Sequence, residues 1–256
     1  MLFNKYQGAG NDFIIIDNRK QLFNPSDNAL IKKLCDRRFG VGADGLILIC
    51  RSEGYDFEMK YYNSDGYEGS MCGNGGRCSA AFSIRHGIAS EKLTFKAVDG
   101  VHKAKSEKGL ILLGMNDVNE TSIVNGNYFI NTGSPHYMVF TKDVNSLDVS
   151  KEGKNLRWAD EFRPGGTNVN FIEVLKDGIY VRTFERGVEE ETLSCGTGVT
   201  ASAIASVLSG HSDISPVSVK TKGGDLSVSF NISGTKISDI VLTGPATFVF
   251  EGEIEI

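Results

Sequence analysis

Short apolar runs recur along the chain and are separated by polar and glycine-rich breaks. Runs at Phe13–Asp17, Leu46–Cys50, Phe57–Tyr62, Leu93–Ala97, Tyr137–Phe140, Phe171–Val174, Tyr180–Phe184, Val217–Thr221 and Ile240–Thr243 predict strands. Helical spacing is rarer. Ser26–Arg38 carries Leu30, Ile31 and Leu34 on one face behind a Ser cap. Gly76–His86 and Val199–Ser209 are rich in Ala and Ser, which suits close packing of a helix on a sheet. Strands dominate and few long helices interrupt them, so the pattern predicts α+β rather than a doubly wound sheet.

The same pattern is written twice. Cys195 follows Cys72 by 123 positions (195 − 72), and "GSPHYMV" from Gly133 follows "GNDFIII" from Gly10 by the same interval. "RFGVG" ending at Gly42 lies over "EFRPG" ending at Gly165, and "EMKYYN" ending at Asn63 over "VRTFER" ending at Arg186. "FKAVDG" and "VKTKGG" match at one residue more. Glycine punctuation alone could produce any one of these. A single interval across separated landmarks predicts two similar domains. The seam falls in the polar stretch Gly114–Gly126, which divides the chain into residues 1–116, completed by 247–256, and residues 117–246. Domains related by a pseudo-twofold axis would bring Cys72 and Cys195 to one cleft, a preferred place for a ligand.

Composition narrows the chemistry. With 256 residues, 40% of them hydrophobic and 23% charged, the chain can bury a core without disulfides or metal. A net charge of −5 without long charge runs does not suggest a nucleic-acid or anionic-membrane partner. The apolar runs are far shorter than a membrane span, and the start lacks a signal-peptide pattern. Five cysteines, an odd number, fit reduced cytoplasmic thiols.

The chemistry concentrates in "MCGNGGRC" (Met71–Cys78) and "LSCGTGVTA" (Leu193–Ala201). A cysteine at a helix start is biased toward the thiolate by free N–H groups and the macrodipole. The glycines that follow let backbone approach a carboxylate closely. Two such units could take a proton from one face of a carbon and return one to the other. The ligand spacing of structural zinc is missing, as are a thioredoxin-type C-x-x-C, a completed G-x-G-x-x-G and a phosphate loop. The bland alternative is a pair of small buried residues. Cys35, Cys50 and Cys78 read as core.

"GAGNDF", "NSDG..GSMCGNGGRC", "GSPH", "TNVNF", "FERG..EETLSCGTG" and a late "GPA" resemble, in order and over the whole chain, the diaminopimelate epimerase family. The resemblance implies an α+β fold of two similar pseudo-twofold-related domains, each a curved, mostly antiparallel sheet around a central helix. It implies a homodimer and a cofactor-independent epimerase with no metal, interconverting LL- and meso-diaminopimelate for lysine and cell-wall precursor synthesis. Cys72 and Cys195 would be the two bases, with neither fixed as the acceptor. Gly73, Asn74, Gly196 and Thr197 would present the helix starts to the α-carboxylate. Arg186 would hold the substrate, Glu185 would meet the α-ammonium, and Glu185 and His136 would adjust proton affinity. Asn11, Asn63 and Asn168 would supply further contacts. Plainer readings exist: Asn11 and Asn63 as turn residues, Asn168 as a strand start, Glu185–Arg186 as a solvated pair, His136 as structural.

Two positions depart from the family pattern. Ser134 stands where an asparagine is usual, which shortens one polar reach. Gly45 stands where a glutamine is common, which implies a lost side-chain contact. Proline and hydroxyproline racemases are the nearest rival, but they usually carry histidine where Asn74 stands. Phenazine-biosynthesis-like isomerases lack the cysteine pair. A redox-sensing binding protein that joins Cys72 to Cys195 is the rival from another class.

Overall fold

The structure, a computed structural model, describes residues 1–213 and 215–255. The chain forms two compact units, Met1–Leu113 with Gly244–Ile256, and Gly114–Thr243. The first contains β1 (Leu2–Gly8), β2 (Asn11–Asp17), α1 (Asn28–Cys35), β3 (Gly45–Cys50), β4 (Phe57–Asn63), α2 (Gly73–Arg85), β5 (Lys92–Ala97), β6 (Gly100–Glu107) and β7 (Leu110–Gly114). The second contains β8 (Thr121–Val124), β9 (Asn127–Asn131), β10 (Pro135–Thr141), α3 (Val149–Arg157), β11 (Asn168–Leu175), β12 (Gly178–Glu185), β13 (Glu190–Thr192), α4 (Gly196–Leu208), β14 (Val217–Thr221), β15 (Gly224–Ser233) and β16 (Lys236–Gly244). The last strand, β17 (Thr247–Glu253), returns to the first unit and pairs with β1.

Both units follow one pairing plan. β1–β2 and β9–β10 are antiparallel, and β2–β3 and β10–β11 are parallel across the short helices α1 and α3. β3–β4 and β11–β12 are antiparallel; β4–β5 and β12–β14 are parallel across α2 and α4. The final strands of each series run antiparallel. Each parallel step needs a crossover, and the helices supply it. The long helices sit inside their sheets. α2 lies against β1, β2, β3, β4, β6 and β17, and α4 against β9, β10, β11, β12, β14 and β15. This is the α+β plan of a mostly antiparallel sheet around a central helix. It also explains the small residues of both helices, since a helix walled on most sides has little room for long side chains.

Each expected strand falls inside an observed one, but the helices need correction. α1 is capped by Asp27, whose Oδ1 accepts from Leu30 N at 2.9 Å, and not by Ser26. It stops at Cys35, because Asp36 is extended. α2 and α4 begin at Gly73 and Gly196, a turn earlier than Gly76 and Val199. Their glycines are helical because the sheets crowd them. A Cβ on Gly198 would stand 2.4 Å from Asn170 Nδ2, and one on Gly76 2.6 Å from Met71 Cε. The pattern also missed β1, β6, β7, β8, β9, β13, β15, β17 and α3. In β6, buried His102 and Ala104 alternate with lysines, so the apolar content is too low to stand out. α3 carries Gly153 mid-helix, where a Cβ would stand 2.3 Å from Phe184 Cβ.

Candidate active site

Cys72 and Cys195 are the residues immediately before α2 and α4. Both are extended, with φ/ψ of −109°/116° and −117°/112°, so each thiol heads a thirteen-residue helix. Cys72 Sγ accepts from Gly75 N at 3.5 Å, so the thiol fills the position where Ser or Asp usually caps a helix. Cys72 is half-buried and Cys195 is 9% exposed.

In the first unit, Asn11 at the start of β2 sits beside Cys72. Its Nδ2 donates to Asp44 Oδ2 at 2.7 Å, which turns Oδ1 toward Cys72 Sγ at 3.5 Å and Asn74 Nδ2 at 3.4 Å. Asp44 is held by Arg37 at 2.7 Å; Arg37 also binds Asp12 at 2.7 Å, and Lys5 binds Asp12 at 2.6 Å. Burial alone would raise the Asp12 carboxyl, but hydrogen bonds from Arg37 and Lys5 outweigh it and hold the group well below the usual carboxylate range. Asn63 ends β4 and is exposed; its backbone closes the turn to Tyr67, with N–H to Tyr67 O at 2.9 Å.

In the second unit the polar residues form a directed chain. His136 Nδ1 lies 2.9 Å from Asn170 Oδ1, and His136 Nε2 lies 2.9 Å from Thr197 Oγ1, which is 3.4 Å from Cys195 Sγ. Burial pulls the His136 pKa down to about 4, against the Asn170 hydrogen bond that supports the charged form, and the Arg186 charge lowers it further. The imidazole is neutral at pH 7. Asn170 Oδ1 requires the proton on Nδ1, so Nε2 accepts from the Thr197 hydroxyl. The Thr197 oxygen is then left to accept from Cys195. Asn168 donates to Ser134 Oγ at 2.8 Å and to Pro135 O at 2.7 Å, and its Oδ1 accepts from Arg186 N at 2.8 Å. Ser134 is therefore a partner of Asn168, which fixes the strand end where exposed Arg186 and half-buried Glu185 stand.

The first unit thus gathers Asn11, Cys72, Gly73 and Asn74, while Asn63 stands at the end of β4. The second gathers His136, Cys195, Gly196 and Thr197, with Asn168 joined to Arg186. Gly45 needs a correction. No vacant contact exists there, since a Cβ would stand 2.5 Å from both Tyr61 Cε2 and Tyr62 O. The Tyr61 ring packs edge-on to Phe13 at 6.0 Å. Sequence reasoning also missed Asn170 and Arg77. Asn170 shares a strand face with Asn168 in "TNVNF", a period-2 signal that was present. Arg77, one turn into α2, was hidden by its type, because arginine is rarely buried. Cys78 and Cys35 are core thiols pushed up to about 12 by burial. Among the described residues, no three His, Cys, Asp or Glu side chains gather as a metal site.

Solved structures with this architecture include a phenazine biosynthesis protein of the PhzF family from Bacillus anthracis (TM-score 0.74, 17% identity, covering 100% of this chain and 99% of that one). A probable proline racemase from Agrobacterium radiobacter K84 gives TM-score 0.74 at 14% identity, covering 100% and 93%. At these identities the likeness is one of fold, and it defines the class, an α+β protein of two similar units, each with a cysteine-headed central helix. The family model for diaminopimelate epimerase matches residues 3–119 and 128–249. Curated relatives described as diaminopimelate epimerase include those of Flavobacterium psychrophilum (49% identical over 99% of this chain and 100% of the relative) and Chlorobaculum tepidum (43%, 97% and 99%). The chain belongs to the diaminopimelate epimerase family.

Proposed function

We propose that this chain interconverts LL- and meso-diaminopimelate by two-base transfer of the α-proton, with Cys72 and Cys195 as the bases and no cofactor. The observation that carries this reading is the equivalent placement of the two cysteines: each stands at the N-cap position of the central helix of its unit, in the same extended backbone. One thiolate takes the α-proton, and the other cysteine, as a thiol, returns a proton to the opposite face. An α-carbanion next to a carboxylate is unfavourable, so donors aimed at the carboxylate must strengthen as charge develops. The N–H groups of Gly73, Asn74, Gly196 and Thr197 at the helix starts suit that role. Arg186 would bind a substrate carboxylate and Glu185 an ammonium group, through charge-assisted hydrogen bonds. Asn11, Asn63 and Asn168 complete the contacts. His136, neutral, acts as a positioning residue through Thr197. The same reading places the enzyme in the cytoplasm as a homodimer serving lysine and cell-wall precursor synthesis. The five free thiols support the cytoplasmic part of this reading.

The test is solvent-deuterium incorporation into LL-diaminopimelate without added cofactor, with proline and hydroxyproline alongside. Exchange is expected for diaminopimelate alone, and both Cys72→Ala and Cys195→Ala should abolish epimerisation. Near wild-type turnover by either variant would defeat the two-base reading, and brisk exchange of proline would transfer it to the racemase rival.

A further inference from the structure

The two thiols are equivalent in backbone but not in electrostatic surroundings. Position 77 in α2 corresponds to position 200 in α4 (200 − 77 = 123). Both side chains are fully buried, and both donate to the carbonyl of the first helical residue: Arg77 Nη1 to Gly73 O at 3.3 Å, Thr200 Oγ1 to Gly196 O at 2.9 Å. Only Arg77 brings a charge. Its other donors go to Asn74 Oδ1 at 2.9 Å and Pro245 O at 3.3 Å, both neutral, and no carboxylate among the described residues pairs with it. An arginine keeps its proton inside a protein. A buried charge is costly without a counter-charge, and the positive end of a helix adds to the cost for a cation. The place calls for an anion. Cys78, the next residue, is kept a thiol by its burial, and Cys72, three hydrogen bonds away through Asn74 and Asn11, can become one.

We infer that Arg77 is a positioning residue that makes Cys72, and not Cys195, the thiolate of the resting enzyme. The surrounding charges agree. Lys5 and Arg37 are matched by Asp12 and Asp44, so that cluster adds no net charge behind Asn11. Asp65 and Glu68 on the loop before α2 are exposed and screened. The Asn11 carbonyl opposes an anion at Cys72 and the Gly75 N–H favours one, so these dipoles largely offset and the full charge of Arg77 decides. In the second unit, Arg186 is exposed next to Glu185, and Glu191 is bound by Arg182 at 2.6 Å and by Lys222 at 2.8 Å, the lysine being exposed and screened. His136 is neutral, and its chain ends on a Thr197 oxygen placed to accept from a Cys195 S–H. The resting enzyme is thus set to take a proton at Cys72 and give one at Cys195. This rests on the two-base reading for its catalytic meaning, but the charge state itself can be measured without turnover.

The experiment is alkylation by iodoacetamide across pH, with modification of each cysteine-containing peptide quantified by mass spectrometry. In the unaltered protein the midpoint for Cys72 should lie at least about one pH unit below that for Cys195. In Arg77→Met the Cys72 midpoint should rise by about a unit or more, and Arg77→Lys should restore most of the difference. A Cys195 midpoint equal to or below that of Cys72 in the unaltered protein would overturn the inference, even if Arg77→Met does not fold. An unchanged Cys72 midpoint in a folded Arg77→Met protein would overturn it as well. If diaminopimelate shows no exchange while the midpoints behave as expected, the proposed reaction fails and the inference about Arg77 stands.

Discussion

At the scale of single residues, polarity is directed as well as placed. His136 sits in the core with no exposure and is committed on both nitrogens, to Asn170 and to Thr197. Its folded pKa of about 4 lies below the usual value near 6.5. Between these values the unfolded chain binds the proton and the folded chain does not. The stability from keeping this ring neutral is therefore complete above about pH 6.5 and declines as pH falls toward 4. The full effect is roughly 3 kcal/mol, of which about 2 kcal/mol is lost by pH 5. Urea unfolding of the protein and of His136→Gln at pH 7.5 and pH 5 should show the stability gap between them shrinking by that amount. A gap independent of pH would mean that the ring is not held neutral by burial.

Elements are positioned by what their glycines leave out. Gly75 and Gly198 occupy corresponding places, the third residues of α2 and α4, but face different walls. A Cβ on Gly75 would meet flexible tips, Ile47 Cδ1 and Met59 Cε, each at 3.2 Å. A Cβ on Gly198 would stand 2.4 Å from Asn170 Nδ2 and 3.2 Å from the His136 ring, both fixed by hydrogen bonds. Gly75→Ala should cost less than about 1 kcal/mol and Gly198→Ala about 1–3 kcal/mol, the usual range for overpacking. Gly198→Ala should also lower deuterium exchange at least tenfold, through displacement of Asn170 and His136. Thermal unfolding and the exchange assay check both, and equal costs for the two variants would contradict this account. The same crowding limits what the sequence reveals. The repeat, the cysteines ahead of the two central helices and the period-2 strands were legible because local pattern encodes them. The early starts of α2 and α4 were not, because glycines that usually mark a turn are helical here under pressure from Asn170, Met71 and their neighbours. Gly45 looked like a missing contact, and only the packing of Tyr61 and Tyr62 shows that the place is filled. Arg77 was legible as a residue and not as a buried one, since its three acceptors include Pro245, 168 positions away.

At the scale of the whole molecule, the two units differ in how the chain closes the first edge of each sheet. In the second unit β8 and β9 form a local hairpin around Asn125–Gly126, with φ of +48° and +79°, the conformation that Asn-Gly supplies in a two-residue turn. In the first unit the same edge is closed by β17, which pairs antiparallel with β1 from Glu253↔Leu2 to Thr247↔Gln7. The end of that strand lies beside the start of the chain, with Met1 N donating to Ile254 O at 2.6 Å. A circular permutant can make the two units alike: begin at Pro245, join Glu253 to Leu2 through Asn-Gly, and end at Gly244. Pro245 then stays with the segment that supplies an acceptor to Arg77. The rearranged pairing becomes local, so its closure entropy falls while the ladder from Glu253↔Leu2 to Thr247↔Gln7 is kept and only the Met1–Ile254 bonds are given up. The permutant should unfold cooperatively with stability within about 1 kcal/mol of the parent, and its refolding should be no slower, since a distant pairing has become a hairpin. It should retain diaminopimelate exchange within tenfold. Loss of cooperative unfolding would show that the link from β16 to β17 does more than carry the chain back to β1. A stable permutant in which the Cys72 alkylation midpoint has risen would instead locate the disturbance at Pro245 and Arg77.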